Sequence, residues 1–289
     1  MPSRTANLAG FSTSLYSTST FASPSVGIAT ASDDTTIQTI GKGPGGVATN
    51  TVFGYQALNS NTTGAGNVAI GYQVGRSNTF GGCNNFIGLC AGYSNTFGCF
   101  NTAIGFAAGF GNTTGTDNIF IGRNTGYANT FGGNNNFFGQ SAGQSNTTGN
   151  NNNFIGNIAG CTNTYGAYNN FIGYRAGQAN TFGCFNNFFG SNAGYNNTTG
   201  GNNNFIGQCA GYSNTFGANN NFFGCLAGGC NTTGNNNNFI GSQAGFCNTF
   251  GCANNFFGNR AGYCNTTGCD RSEEHTSELQ SRQYLVCRL

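Results

Sequence analysis

Charged side chains are scarce in this chain of 289 residues, where Asp, Glu, Lys and Arg make up 6% of the total. Ordinary globular domains carry roughly a quarter. Trp is absent, His occurs once and Pro three times. General acid–base catalysis, serine-type triads and zinc sites all depend on carboxylates or histidines held close together. We therefore expect a protein that is not an enzyme and that uses no metal and no cofactor.

The chain also lacks the features that bring proteins to nucleic acids or into membranes. Its formal net charge is +2, which gives no basic field for phosphate backbones or acidic lipids. No stretch approaches the roughly 18 apolar residues that a membrane-spanning helix needs. We expect no nucleic-acid partner and no insertion into a membrane.

Both ends of the chain differ from its middle. Residues 1–50 are rich in Ser and Thr and form either a flexible leader or an attachment segment. From Arg271 the chain reads RSEEHTSELQSRQYLVCRL, which contains every Glu and the single His, His275. This string resembles the conceptual translation of a common short-read sequencing adapter. We interpret residues 269–289 as a mostly non-native tail and leave them out of the fold argument; the alternative is a genuine charged tail.

Residues 51–268 consist of thirteen copies of a 17-residue repeat. A marker glycine recurs without exception from Gly54 to Gly258, within the consensus N-x-[F/A]-[I/F]-G-x-x-A-G-x-x-N-T-[T/F]-G-x-x. Seven residues after each marker stands an invariant Asn, followed by an invariant Thr. This Asn column consists of Asn61, Asn78, Asn95, Asn112, Asn129, Asn146, Asn163, Asn180, Asn197, Asn214, Asn231, Asn248 and Asn265. A disordered Asn/Gly tract is the alternative, but it would have no reason to keep some columns fixed while others vary.

The repeat is too short for helical repeats, which need about 30 residues or more, and its clustered Gly and Asn oppose helix formation. Each copy contains two short stretches, N-N-F-I and roughly Y-S-N-T-F, each closed by a Gly that would supply the positive φ of a tight corner. We predict an all-β fold, a parallel β-solenoid or β-roll of thirteen 17-residue coils with two strands and two turns each. Pro2, Pro24 and Pro44 all precede the repeats, as uninterrupted strand pairing requires.

Stacked coils turn every repeat column into a ladder. The Asn column should stack amide on amide along the axis, with the invariant Thr column beside it. Because neighbouring strand residues face opposite sides, the Phe and the following Ile or Phe of N-N-F-I cannot both enter one core. One face should fill the coil, and the other should pack on identical chains around an axis.

Two stretches carry a resemblance to known repeats, NVAIGYQVG at residues 67–75 and GYQALNSNTTGAGN at residues 54–67. They are similar to repeats of tail-fibre-like virion proteins of bacterial viruses. More distantly they resemble the head repeats of trimeric autotransporter adhesins, which are shorter and poor in Phe and Cys. The resemblance implies a non-enzymatic, fibrous homotrimer whose surface binds a cell-surface glycan or receptor. It places the protein in a virion tail fibre or, alternatively, outside a bacterial cell or on its surface as an adhesin.

Ice binding is a second alternative. Ice-binding solenoids present flat, regular Thr arrays, and the Thr column is unbroken through all thirteen copies. The residue after it is aromatic in seven copies, which interrupts a flat array.

The cysteines of the repeats have two possible roles, as disulfide partners or as small apolar side chains. Cys247/Cys252 and Cys264/Cys269 each bracket an N-T-x-G turn. Disulfides across these turns or between stacked coils are compatible with the spacing and would imply an oxidising compartment. The alternative is that Cys serves as a small apolar filler.

Overall fold

The computed structural model describes residues 25–27, 38–41, 43 and 45–274. Most of residues 1–50, the three prolines and the tail beyond Glu274 lie outside the described residues. Sixteen short strands form one sheet whose spatial order is the chain order. They are β1 Ser25–Gly27, β2 Gln38–Gly41, β3 Thr51–Tyr55, β4 Val68–Ile70, β5 Asn85–Ile87, β6 Thr102–Ile104, β7 Ile119–Ile121, β8 Asn136–Phe138, β9 Asn153–Ile155, β10 Asn170–Ile172, β11 Asn187–Phe189, β12 Asn204–Ile206, β13 Asn221–Phe223, β14 Asn238–Ile240, β15 Asn255–Phe257 and β16 Ser272–Glu274.

The repeats stack as a parallel β-solenoid. The 14 strands from β3 to β16 are parallel. Each residue pairs with its equivalent one repeat away, as Asn153 does with Asn170 and Phe154 with Phe171. Strand β2 pairs antiparallel with β1 and with β3 at the N-terminal edge. The predicted parallel solenoid of 17-residue coils is confirmed.

The last strand, β16, belongs to the segment interpreted as a non-native tail. It continues the sheet beside β15, and Glu273 pairs with Phe256. Glu273 Oε2 accepts a hydrogen bond from the backbone N–H of Gly262 at 2.9 Å. The sequence change at Arg271 thus puts a carboxylate in the register that the core Phe occupies in the preceding coil.

Each coil has one strand, of five residues in the first coil and three in each of the others, and the predicted second strand is wrong. The stretch that ends in N-T-x-G forms a bend instead. The backbone N–H groups of Thr79, Phe80 and Gly81 all donate to one acceptor, the backbone oxygen of Thr96 in the next coil, at 3.2, 3.0 and 3.1 Å. Three successive donors reach one oxygen only where the backbone curves around it, and a parallel ladder instead spaces its bonds evenly along the strand.

The inside of the coil is a column of aromatic rings lined by alanine. Phe154 is fully buried, whereas the next residue, Ile155, lies 42% exposed on the outer face of the sheet. From Phe137 to Phe256 successive rings stack with centroids 4.7 to 5.0 Å apart, close to the spacing of neighbouring strands. The predicted division of the two apolar strand residues between two faces is confirmed.

The two corners of the coil require glycine for different reasons. The marker Gly156 has φ of 143°, as the sequence predicted for a corner. Gly166, which closes the N-T-x-G turn, has no positive φ, so the prediction is wrong there. A Cβ at Gly166 would lie 2.4 Å from Asn163 Oδ1 and 2.4 Å from the backbone oxygen of Gly183. That glycine is needed for space between coils.

Two further columns adopt the left-handed backbone conformation with residues other than glycine. The residue two positions after each marker does so, with φ of 62° at Ile158 and 56° at Arg175. The residue just before the next copy does so too, with φ of 58° at Tyr168 and 60° at Phe185. Each costs of order 1 to 2 kcal/mol, because Cβ crowds the following carbonyl. Both columns vary freely in sequence, and for that reason the repeat pattern did not reveal them.

Candidate functional site

The predicted Asn column forms a continuous hydrogen-bonded ladder inside the coils. All thirteen of its residues are buried. Asn163 Nδ2 donates to Asn146 Oδ1 at 2.8 Å and to the backbone oxygen of Gly166 at 2.9 Å. Asn163 Oδ1 accepts from Asn180 Nδ2 at 2.7 Å. Because each amide satisfies its neighbours, the ladder sets the register of the coils and offers no free group to a ligand.

A second buried Asn ladder was not predicted. Asn152, just before β9, donates from Nδ2 to the backbone oxygen of Gly166 at 2.9 Å. Its Oδ1 accepts the backbone N–H of Asn169 in the next coil at 3.0 Å. The Gly166 oxygen therefore accepts from both ladders and ties the two corners of the coil together. The signal was present, since this position is Asn in every copy from Asn50 to Asn254.

The invariant Thr column lies half-exposed beside the first ladder. Thr164 Oγ1 donates to the backbone oxygen of Thr181 at 3.2 Å, and the same bond recurs from Thr62 to Thr249. The hydroxyl hydrogens of this column therefore point along the stack. What the column presents to solvent is hydroxyl oxygen and methyl groups.

The outer face of the sheet carries an apolar column beside a third Asn ladder. This outer apolar column is the Ile or Phe that precedes each marker, and Ile155, Ile206 and Ile240 are each 42% exposed. Next to it, Asn153 Nδ2 donates to Asn170 Oδ1 at 2.7 Å. A row of half-exposed Ile and Phe along the sheet is more contiguous apolar surface than soluble monomers usually leave in water.

A Thr/aromatic column follows the Thr column and is also exposed. Its members are Thr63, Phe80, Phe97, Thr114, Phe131, Thr148, Tyr165, Phe182, Thr199, Phe216, Thr233, Phe250 and Thr267. The aromatic members are more than half exposed. Where two of them fall in adjacent coils their rings stack, with centroids 5.1 Å apart in both Phe80–Phe97 and Tyr165–Phe182.

The described residues contain few charged side chains and no cluster of metal-ligating side chains. Within them, no three His, Cys, Asp or Glu side chains are grouped to hold a metal ion. The same part of the chain contains no helix of the length and hydropathy needed to cross a bilayer. Four arginine guanidinium groups of the repeats lie 5.0 to 5.9 Å from aromatic ring centroids on the outside of the coils.

The cysteines from Cys83 to Cys269 are free thiols in this structure. Cys252 and Cys269 stand in one column on successive coils, and the backbone N of Cys252 lies 3.1 Å from Cys269 Sγ. Cys247 and Cys264 share a second column. The predicted disulfides stay a prediction, and the column arrangement favours bonds between stacked coils.

Compared with protein-family models, with curated proteins and with solved structures, the chain matches none. The surface columns are therefore the features that bear on function.

Proposed function

We propose that this chain is a non-enzymatic structural fibre protein, most simply a tail-fibre-like virion protein, whose surface binds a cell-surface receptor or glycan. The observation that carries the proposal is the outer apolar column. It runs the length of the parallel sheet, and its side chains repeat at the spacing of the coils. Such a column is complementary to the same column on further copies arranged around an axis parallel to the rod.

The energetics support assembly through this face. Burying the exposed part of one Ile or Phe contributes about 1 kcal/mol. Over thirteen coils the sum is of order 10 kcal/mol per chain, comparable with the roughly 4 to 15 kcal/mol that association costs in lost freedom. We propose a homotrimer, the assembly that the resemblance to virion fibre and adhesin repeats implies.

The remaining columns suit a passive, adhesive rod. Three Asn ladders and a Thr ladder hold the coils together without any charge. The Thr/aromatic column leaves rings and hydroxyls for contact with an uncharged partner. On a bacterial surface the same rod would serve as an adhesin.

Ice binding receives less support. A Thr array that orders water uses its hydroxyls as donors as well as acceptors. Here the hydroxyls of the Thr column already donate along the stack, as Thr164 does to Thr181. Thermal hysteresis of the purified protein would favour ice binding over the fibre proposal.

Sedimentation equilibrium of the full chain tests the assembly. We expect a trimer, and we expect Ile155→Glu combined with Ile206→Glu to give monomers, because both substitutions place charge in the outer apolar column. Ser213→Glu, in a column on the turn, serves as the control and should stay trimeric. A monomeric wild-type protein would contradict the proposal.

A further inference from the structure

The Thr/aromatic column contains gaps that are one ring wide. Phe216 and Phe250 lie two coils apart with Thr233 between them. Since adjacent rings of this column are 5.1 Å apart, rings two coils apart are separated by about 10 Å. The column has four such gaps. The one at Thr114, between Phe97 and Phe131, has the charged Asp117 three residues after its Thr, and we name the other three the ring slots. Their central residues are Thr148 (between Phe131 and Tyr165), Thr199 (between Phe182 and Phe216) and Thr233 (between Phe216 and Phe250).

A neighbouring column shows that a separation of two coils accommodates one ring. Tyr93, Phe110 and Tyr127 stand in three successive coils, and their rings stack at 4.9 and 5.0 Å with interplanar angles of 8° and 6°. A ring slot is this arrangement without its middle ring. Its two walls are the ring faces that a middle ring would otherwise cover.

The ring slots also carry unused polar groups. The hydroxyls of Thr148, Thr199 and Thr233 make no hydrogen bond among the described residues, in contrast to the axial bonds of the Thr column. Three residues after each of them stands an Asn whose carboxamide is likewise unbonded, and these are Asn151, Asn202 and Asn236. Each slot thus combines two aromatic walls with a free hydroxyl, has an unbonded Asn three residues further along the chain, and carries no charge.

The two coils between the first two slots carry a second pair of exposed aromatic residues, in a strained backbone conformation. Tyr168 and Phe185 adopt left-handed φ values of 58° and 60° and are 52% and 54% exposed. Their rings stack on each other with centroids 4.9 Å apart. Asn suits this backbone better and stands in the same column of several other coils. Exposed rings that cost stability and fill no core indicate a role in binding.

We propose that each ring slot binds one neutral pyranose ring, presented as a terminal or branch sugar of a surface glycan. The inference rests on the proposed function and names the site and ligand class. A pyranose has C–H-lined faces that suit the two aromatic walls, and its hydroxyls can donate to and accept from Thr and Asn. A phenyl ring from a second copy would fit the walls but would bury the Thr hydroxyl without a partner.

The spacing of the slots suits a surface that displays many sugar ends. The Thr199 and Thr233 slots are two coils, about 10 Å, apart along the rod. A single slot offers only a small contact, and simultaneous occupation of several slots raises the overall affinity without any new contact. Multivalent display of one neutral sugar is therefore the appropriate ligand.

Biolayer interferometry of the full chain tests the proposal, with immobilised polymers that display glucose, galactose, mannose or N-acetylglucosamine. We expect binding to at least one of them. Thr148→Phe, Thr199→Phe and Thr233→Phe together place a ring in every slot, in stacks that Phe80–Phe97 shows the column accepts. This triple variant should bind at least tenfold more weakly. Thr63→Phe adds the same ring beside Phe80 alone and should bind as the wild type does.

The outcomes separate this inference from the fibre proposal. Equal binding by the triple variant, or no binding of the wild type to any neutral polymer, overturns the slots and leaves the trimer test untouched. If the triple variant instead loses self-association in sedimentation, the occupant is a second copy and the inference is wrong. Should the triple variant not fold, Thr→Val at the same three positions replaces each hydroxyl with a methyl group and should still weaken binding several-fold.

Discussion

A Cβ atom on Gly160 would lie 2.5 Å from Cε2 of Phe154, the core ring of the same coil. The two positions are therefore coupled: a full aromatic ring in the core requires glycine opposite it. The first coil shows the converse. There Val52 stands in the core column, and Leu58 replaces the glycine and is itself buried.

We expect Gly160→Ala to lower the free energy of unfolding by about 2 to 4 kcal/mol, from overpacking against the ring and from the left-handed backbone. Urea denaturation measures the loss. Asn124→Ala is the control, because Asn124 and Gly160 both have φ of 54° but Asn124 faces no core ring. Its cost should stay under about 1 kcal/mol, and equal losses in the two variants would refute the coupling.

The first Asn ladder should be sensitive to the loss of a single donor. Asn163→Asp keeps the shape but sets a carboxylate against two acceptors, Asn146 Oδ1 and the Gly166 oxygen. Burial and these acceptors should raise the pKa of the introduced carboxyl. The variant should then be destabilised by several kcal/mol at neutral pH, and stability should recover as pH falls through the raised pKa.

Urea denaturation between pH 4 and pH 8 measures this recovery. Asn219→Asp is the matched control, since Asn219 is exposed and Asp117 occupies the same column in the wild-type chain. It should show little change over this range. A pH-independent loss in Asn163→Asp would mean that the ladder is not the cause of the destabilisation.

The sequence predicted the solenoid, its register, the first Asn ladder and the division of Phe154 and Ile155 between two faces. These follow from period and alternation, which stacking converts directly into geometry. It did not predict the single strand per coil, because the convergence of three N–H groups on the Thr96 oxygen leaves no trace in residue type. The ring slots also went unrecognised, since they depend on which residues of a variable column fall in neighbouring coils.

The core column is the buried residue two positions before each marker glycine, and it is Ala rather than Phe at Ala69 and Ala103. We expect an added Phe ring to be accepted at Ala103 and rejected at Ala69. Ala103 lies between Phe86 and Phe120, and the Phe120 ring is tilted by 40° from that of Phe137. We expect Ala103→Phe to complete the stack and to raise the free energy of unfolding by about 1 kcal/mol or more.

Ala69→Phe is the informative comparison. The buried Leu58 and Val74 side chains already fill the core around Ala69. An added ring there should overpack the coil and cost about 1 to 3 kcal/mol. Thermal unfolding of both variants compares them, and shifts of the same sign would contradict this account of the core.

The thiols should differ in reactivity with pH. Burial raises the pKa of Cys161, so a smaller fraction of it is thiolate at pH 8 than for an unperturbed thiol. We expect iodoacetamide to modify Cys161 more slowly than the exposed Cys225 at pH 8, and the difference should narrow as pH rises through the pKa of Cys161. Peptide mass spectrometry of timed samples measures both rates. If the ratio of the two modification rates did not change with pH, the difference in solvent access between the two thiols would explain it without any shift in pKa.

Oxidation should join stacked coils before it bridges a turn. Neighbouring coils lie about 4.8 Å apart, within the range of Cα separations that a disulfide spans, and Cys252 N already lies 3.1 Å from Cys269 Sγ. We expect a mild disulfide oxidant to link Cys252 to Cys269 in preference to Cys247. Non-reducing peptide mapping identifies the pairs, and Cys269→Ser is the control that should abolish the main cross-link. A dominant Cys247–Cys252 bond would instead show that oxidation closes the turn. Either disulfide, if found in protein isolated without reductant, would place the rod in an oxidising compartment.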